Sequence, residues 1–227
     1  MSVRIYASEA PEDVKQRNKL SYNALAATYN MWTTKQDHRR LKYLDELFAR
    51  VPNLTGHSQA PVVLELGCGA GVPTLQNVLC RNNSLTAKAN DISDAQLDLA
   101  RSHLAAYSDR VQFHCGDMME VECEDGSLTA AIALYSIIHL PRDEQSEMVS
   151  KIARWLEPGG CFLGNFGAVG KLGEVTEKWL SQEQGWKFVS SFGADGIIKR
   201  LKDAGLEVDM QATHADPSED FMEVATT

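Results

Sequence analysis

The segment Val62-Val63-Leu64-Glu65-Leu66-Gly67-Cys68-Gly69-Ala70-Gly71 constrains the fold of this chain more than any other stretch. An apolar run that ends in alternating glycines describes a buried parallel strand turning sharply into a helix. The turn needs positive φ, or a ligand approach that a Cβ would block, and glycine supplies both. Two further segments follow in order. Asn90-Asp91-Ile92-Ser93 places an acid twenty residues past Gly71, where a second strand would end, and Cys115-Gly116-Asp117-Met118 repeats the pattern at a third. An acid at the second position can hold a ribose diol, so the set reads as an adenosine-binding site. The pyrophosphate fingerprint G-x-G-x-x-G is missed by one residue, because position 72 is Val. Glu65 lies inside the strand, where a carboxylate is costly to bury alone. A cationic, amine-bearing ligand would supply its partner.

Over residues 20 to 167 the chain resembles the class I S-adenosylmethionine-dependent methyltransferases, whose E-x-G-x-G-x-G strand is matched by Glu65, Gly67, Gly69 and Gly71. Ala131 to Ser136, followed by Ile137-Ile138-His139-Leu140-Pro141, is similar to that family's fourth strand and the opening of its helix. Trp155-Leu156-Glu157-Pro158-Gly159-Gly160 is similar to the turn before its fifth. The resemblance implies an α/β fold: a Rossmann-like, doubly wound seven-stranded sheet with an N-terminal helical lid, the last strand inserted between strands five and six. It implies S-adenosyl-L-methionine as cofactor, with Asp91 on the ribose hydroxyls, Ile92 against adenine, and Asp117 accepting from the adenine amino group beside the Met118 amide. Gly67, Cys68, Gly69, Glu65 and Leu134 would complete the donor site. Tyr22, Tyr29 and Trp32 fall in a segment similar to the family's lid, Y-x-x-x-A-x-x-Y, with Tyr29 assigned to the donor and Tyr22 and Trp32 to the acceptor. A tyrosine face also stabilises a sulfonium by about 0.5 to 2 kcal/mol. Two family patterns are missing. Leu128-Thr129 stands where an F-D pair commonly opens strand four, and Leu134-Tyr135-Ser136-Ile137 replaces N/D-P-P-Y/F, which weakens amide, DNA amino-group and glutamine acceptors.

Composition excludes other classes. With 22 basic and 31 acidic residues, net −9, the 227-residue chain carries no electrostatic footprint for a phosphate backbone, so no nucleic-acid partner is expected. No apolar run has the length of a membrane span and the start lacks a signal-peptide core, which points to a cytoplasmic protein without a membrane partner. The five cysteines form no C-x-x-C pair and the six histidines no metal spacing, so reduced thiols and no metal are expected. Residues 1–55 are read as the helical lid or extension and 56–227 as the donor-binding domain. Nothing separates a monomer from a homodimer. Helical periodicity covers 10 to 30 and 37 to 50, and a loop spans 52 to 61. Strands are expected near 62–67, 85–91, 110–115, 129–135, 160–166, 206–213 and 219–225. Helices follow Pro73 and Ser93 and cover 143–156 and 193–204. Residues 167–192, rich in glycine, tryptophan and lysine, read as an insertion over the site.

The chemistry expected is in-line transfer of a methyl group to an O, N or S atom of a small organic acceptor, in a secondary-metabolite pathway. Such a site must align the partners, exclude water and, for a hydroxyl acceptor, remove a proton. His139, just past a strand end on that face, is the candidate base or acceptor-orienting group; its bland alternative is a helix-terminal residue packing on Pro141. Tyr135 at the same strand end is a substrate contact or a core tyrosine, and Tyr22 has the same two readings. The alternative function is a non-methylating relative: a partner subunit, or an enzyme using the bound sulfonium for another reaction.

Overall fold

The computed structural model describes residues 2–55, 60–215 and 220–227. In chain order these form β1 (Val3–Ala7), α1 (Val14–Thr33), α2 (Asp37–Arg50), β2 (Val62–Leu66), α3 (Thr74–Arg81), β3 (Thr86–Asp91), α4 (Asp94–His103), β4 (Val111–Cys115), β5 (Leu128–Ala133), α5 (Arg142–Trp155), β6 (Leu156–Gly167), β7 (Gly170–Glu177), β8 (Trp186–Phe192), α6 (Gly193–Asp203), β9 (Val208–Ala215) and β10 (Asp220–Thr226). The main sheet has seven strands in the order β4-β3-β2-β5-β6-β10-β9. The first five run parallel, and β10 is antiparallel to both β6 and β9. The last strand therefore lies between the fifth and sixth of that sheet, the doubly wound arrangement expected for the class I fold.

The apolar run of β2 explains its central place. Successive side chains point to opposite faces, and Val63 joins the core packed under α2, α3 and α4 while Leu64 and Leu66 join the one under α5 and α6. Glu65 shares the Val63 face and is buried at 4 % exposure. Ser93 caps α4 as its sequence indicates, its hydroxyl accepting from the Gln96 amide at 3.2 Å.

The sequence predicts seven strands, and the structure has in addition a second sheet, β1-β7-β8, all antiparallel. It is built from the extreme N-terminus and the stretch read as an insertion. Its strands were hidden because their alternation is broken. Glu174 is fully buried in β7, 3.1 Å from Lys171 and 3.9 Å from Arg4, and every residue of β1 before Ala7 is exposed. Beneath it, Val175, Trp186 and Phe188 pack on Val14 of α1. The Leu156 to Gly160 turn is also part of β6, which pairs with β5 across a register irregularity. The lid helix runs later than expected, from 14 to 33 rather than 10 to 30. The 55/56 boundary, the loop over 52–61 and the strand start at 219 adjoin or include residues 56–59 and 216–219, outside the described residues. Among the described residues, no helix is long and apolar enough to cross a membrane, and no group of three His, Cys, Asp or Glu is placed to hold a metal ion. The five cysteines are unpaired by disulfides.

Candidate active site

The carboxyl ends of β2, β3, β4 and β5 open into one cleft of about 650 Å³, roofed by α1. Gly67 at the end of β2 has φ +70, and a Cβ there would lie 2.4 Å from Cβ of Ser136, so the turn excludes any side chain both conformationally and sterically. The turn is held from the next strand: the Cys68 amide donates to the Asn90 carbonyl at 2.8 Å, and the Gly69 amide donates to Oδ2 of Asp91 at 2.8 Å. Oδ1 of Asp91 accepts from the Ser93 amide at 2.8 Å. Burial pushes the Asp91 carboxyl up to about 6, and those two amides oppose the rise. Each oxygen keeps a lone pair for a further donor.

Gly67, Gly69, Asp91, Ile92, Asp117, Met118, Tyr22, Tyr29, Tyr135 and His139 all line this cleft. Cys68 and Leu134 do not; both are buried in the core beneath it. Glu65 is likewise below the wall rather than in it, with Oε2 making no hydrogen bond, and burial raises its carboxyl to about 8 against the pull of Arg40. The hydroxyl of Ser136 and the Nε2 of Gln96 are further buried polar atoms of the cleft with no hydrogen-bond partner. Polar groups left in this state cost free energy unless a ligand satisfies them. Glycine turn, strand-end carboxylates and orphaned polar atoms thus fit an adenosyl group bearing an amino acid.

Several contributors were invisible in the sequence. Lys15 of α1 reaches Asp117 at 2.5 Å and Glu144 at 2.8 Å. Asn23 accepts from the Ser93 hydroxyl at 2.6 Å, so α1 is fastened along the donor side. A lysine in a helix carries no positional signal by itself; only the fold brings it to a strand end more than a hundred residues away.

His139 lies in a short 3₁₀ turn, Ile137–His139, between the cleft and a second chamber of about 450 Å³. Its Nδ1 is 2.6 Å from the Phe188 carbonyl and its Nε2 is 2.9 Å from the Tyr22 hydroxyl. A carbonyl only accepts, so Nδ1 carries the hydrogen and Nε2 presents its lone pair to Tyr22. Burial lowers the imidazole to about 4, with the Phe188 carbonyl opposing, so the ring is neutral near pH 7. Tyr135, at φ +59, is fixed by its amide donating to Asn165 at 2.6 Å. It faces both chambers, as do Tyr22, Tyr29 and His139, whereas Trp32 faces only the second.

A nucleotide-type cradle at the strand ends of a doubly wound sheet, closed by an aromatic helix, defines an α/β transferase architecture. The sheet order is that of the class I methyltransferase fold, and residues 63–160 match the methyltransferase domain family. The chain is 32 % identical over 149 residues to 27-O-demethylrifamycin SV methyltransferase of Amycolatopsis mediterranei, covering 64 % of this chain and 53 % of that protein. It is 27 % identical over 222 residues to a sterol 24-C-methyltransferase of Debaryomyces hansenii, covering 88 % of this chain and 56 % of the relative. The chain thus spans about half the length of these curated relatives. A solved Burkholderia thailandensis 1,6-didemethyltoxoflavin-N1-methyltransferase has the same fold, with TM-score 0.73 and 15 % identity, covering 99 % of this chain and 93 % of that one.

Proposed function

We propose that this protein methylates an O, N or S atom of a small organic molecule, using S-adenosyl-L-methionine. The observation that carries the reading is one cleft in which Gly67 and Gly69, Asp91 and Asp117 converge from three successive strand ends. When bound, the cofactor supplies a methyl group already activated on a sulfonium. Asp91 would accept from ribose hydroxyls through its remaining lone pairs, and Asp117 from the adenine amino group between Ile92 and Met118. Glu65, lacking a partner on Oε2, suits an ammonium group. Tyr22 and Tyr29, with ring centroids 5.1 Å apart, offer faces to a cation.

The acceptor is assigned to the second chamber, with His139 and Tyr135 on the shared wall. A neutral His139, hydrogen fixed on Nδ1, can hold or take an acceptor proton at Nε2 once the Tyr22 hydroxyl yields its place. The rifamycin and sterol for which two relatives are named support a small-molecule acceptor, and the rifamycin a secondary-metabolite role. Net charge −9 argues against nucleic acid, and the reading is of a cytoplasmic monomer or homodimer. Residues 1–55 act as the lid over a donor domain from 56 onward.

The test is titration calorimetry with S-adenosylmethionine and S-adenosylhomocysteine, followed by an acceptor screen with labelled methyl donor. Micromolar binding of both, with label recovered in an acceptor, is the expected result. Binding without transfer to any acceptor would favour the non-methylating alternative, and binding of neither would refute the donor site.

A further inference from the structure

One face of α1 presents Lys15, Lys19, Asn23 and Asn30, residues whose spacing gathers them on the same side of a helix. Three of them are bound to the start of α4. The Lys19 ammonium lies 2.8 Å from Asp94, the Asn23 side-chain carbonyl accepts from the Ser93 hydroxyl at 2.6 Å, and the Asn30 amide donates to Gln96 at 3.2 Å. Lys15, at the N-terminal end of this row, reaches past α4 to the turn after β4 and to α5, where it meets Asp117 and Glu144.

The Lys15 pairs differ from that of Lys19 in where they stand. Lys15 and Asp117 both line the donor cleft, beside Gly116, Met118 and Leu140, whereas Lys19 and Asp94 do not. The Asp117 carboxylate is held from two directions. Its Oδ1 accepts from the Met119 amide at 3.0 Å, within the 3₁₀ turn Met118–Glu120 that Asp117 caps. Its Oδ2 receives the Lys15 ammonium at 2.5 Å. The terminal torsion of an aspartate is broad, so the backbone contact alone leaves the direction of the second oxygen loose, and the ammonium removes that freedom. Glu144, 2.8 Å from the same ammonium, keeps it in place with a second charge-assisted contact. Each Asp117 oxygen retains a lone pair for a further donor.

We infer that Lys15 is a positioning residue for the purine of the methyl donor: anchored on Glu144, it holds the Asp117 carboxylate in the orientation that reads the exocyclic amino group, and so ties base recognition to α1. The inference rests on the reading in which Asp117 accepts from that amino group; the part of the lysine rests on its two ion pairs at the cleft wall. Because α1 also carries Tyr22 and Tyr29, the helix that brings these rings to the cleft is the one that orients the base reader.

The test compares S-adenosylhomocysteine with its 6-deamino analogue, in which hydrogen replaces the purine amino group, by titration calorimetry on the full chain. The wild-type protein should bind S-adenosylhomocysteine about tenfold more tightly than the analogue, as a hydrogen bond to a charged group predicts. Lys15→Met keeps the aliphatic stem, removes the charge and should cut that ratio to about twofold by weakening S-adenosylhomocysteine, while Lys15→Arg should restore it. Lys19→Met removes an ion pair of the same helix that does not border the cleft and should leave the ratio as in the wild type. The Asn23 and Asn30 contacts keep α1 in place in all three variants. A ratio unchanged in Lys15→Met, even with both affinities reduced, a loss that Lys15→Arg does not recover, or an equal loss in Lys19→Met would each overturn the proposal and leave the Asp117 reading intact. Equal binding of the two ligands by the wild-type chain would refute Asp117 as the base reader, and no binding of S-adenosylhomocysteine would refute the donor site; the proposal falls with either.

Discussion

Replacing Glu65 by Gln removes one buried titrating group from beneath the cleft wall while keeping its shape. In the folded chain burial raises this carboxyl from 4.5 to about 8, Arg40 opposing. The unfolded chain ionises first, so the proton held by the native state contributes stability that is complete below the unfolded value and lost as pH rises through the folded one. Each pH unit in that window is worth about 1.4 kcal/mol. Between about pH 5.5 and 7.5 the wild-type chain therefore loses about 3 kcal/mol that Glu65→Gln does not. For a chain of this length that is roughly 5 to 10 °C in Tm, so thermal unfolding of the two proteins across this range should give curves that diverge. Asp91 and Glu223, raised to about 6 and about 7, add slope to both curves and cancel in the difference. Parallel curves would refute the buried, protonated Glu65. The same group predicts a linkage to the donor. An ammonium placed against Glu65 favours its ionised form, so S-adenosylhomocysteine binding near pH 7 should release about one proton, read by calorimetry in buffers of different ionisation enthalpy. Glu65→Gln should release none; equal release from both proteins would refute the pairing.

Asp91→Asn should leave one of the Gly69 and Ser93 amides without its acceptor, lowering stability by about 1 to 3 kcal/mol and weakening S-adenosylhomocysteine. An unchanged dissociation constant would reject Asp91 as a donor ligand. Gly67→Ala, with φ +70 and a 2.4 Å approach to Ser136, should cost more than about 3 kcal/mol and yield little folded protein. A variant that unfolds at the wild-type temperature would contradict the turn. For a hydroxyl or amine acceptor, His139→Gln should reduce kcat by a factor of about 10² to 10⁴ while donor affinity holds. Because this imidazole titrates at about 4, it should contribute no inflection to the wild-type rate profile between about pH 5 and 8. An inflection there that vanishes in His139→Gln would show a histidine with an ordinary basicity instead.

The main sheet and the donor cleft were readable because their signals are local. Val62 to Gly71 contains a whole strand and its turn, and Ser93 with Asp94 writes a helix start in two letters. Asp91 and Asp117 each sit at the last pleat or just past it, so strand prediction alone carries them to the same face of the sheet. Cys68 and Leu134 show the limit of that logic. Both flank cleft residues in sequence, yet each is buried in the core, Cys68 inside the glycine turn and Leu134 just past the end of β5. Lys15 carries no local signal for a different reason. Its bond to Asp117 depends on where α1 crosses the strand ends, and that crossing is set by Val14 packing on Trp186 and Phe188.

The acceptor side was illegible because it is assembled from remote pieces. Tyr22 and Trp179 meet across 157 positions, and the small sheet that joins them has an exposed first strand and a buried glutamate, neither of which reads as a strand. That sheet does more than close the chamber. The carbonyl of Phe188, in β8, takes the Nδ1 hydrogen of His139, and so determines that the lone pair on Nε2 faces Tyr22 and the shared wall. β8 therefore sets the tautomer of the histidine. A change in β8 that shifts this carbonyl would alter the tautomer of His139 and the fit of the acceptor together, while the Asp91 and glycine-turn contacts, held within the large sheet, would remain in place.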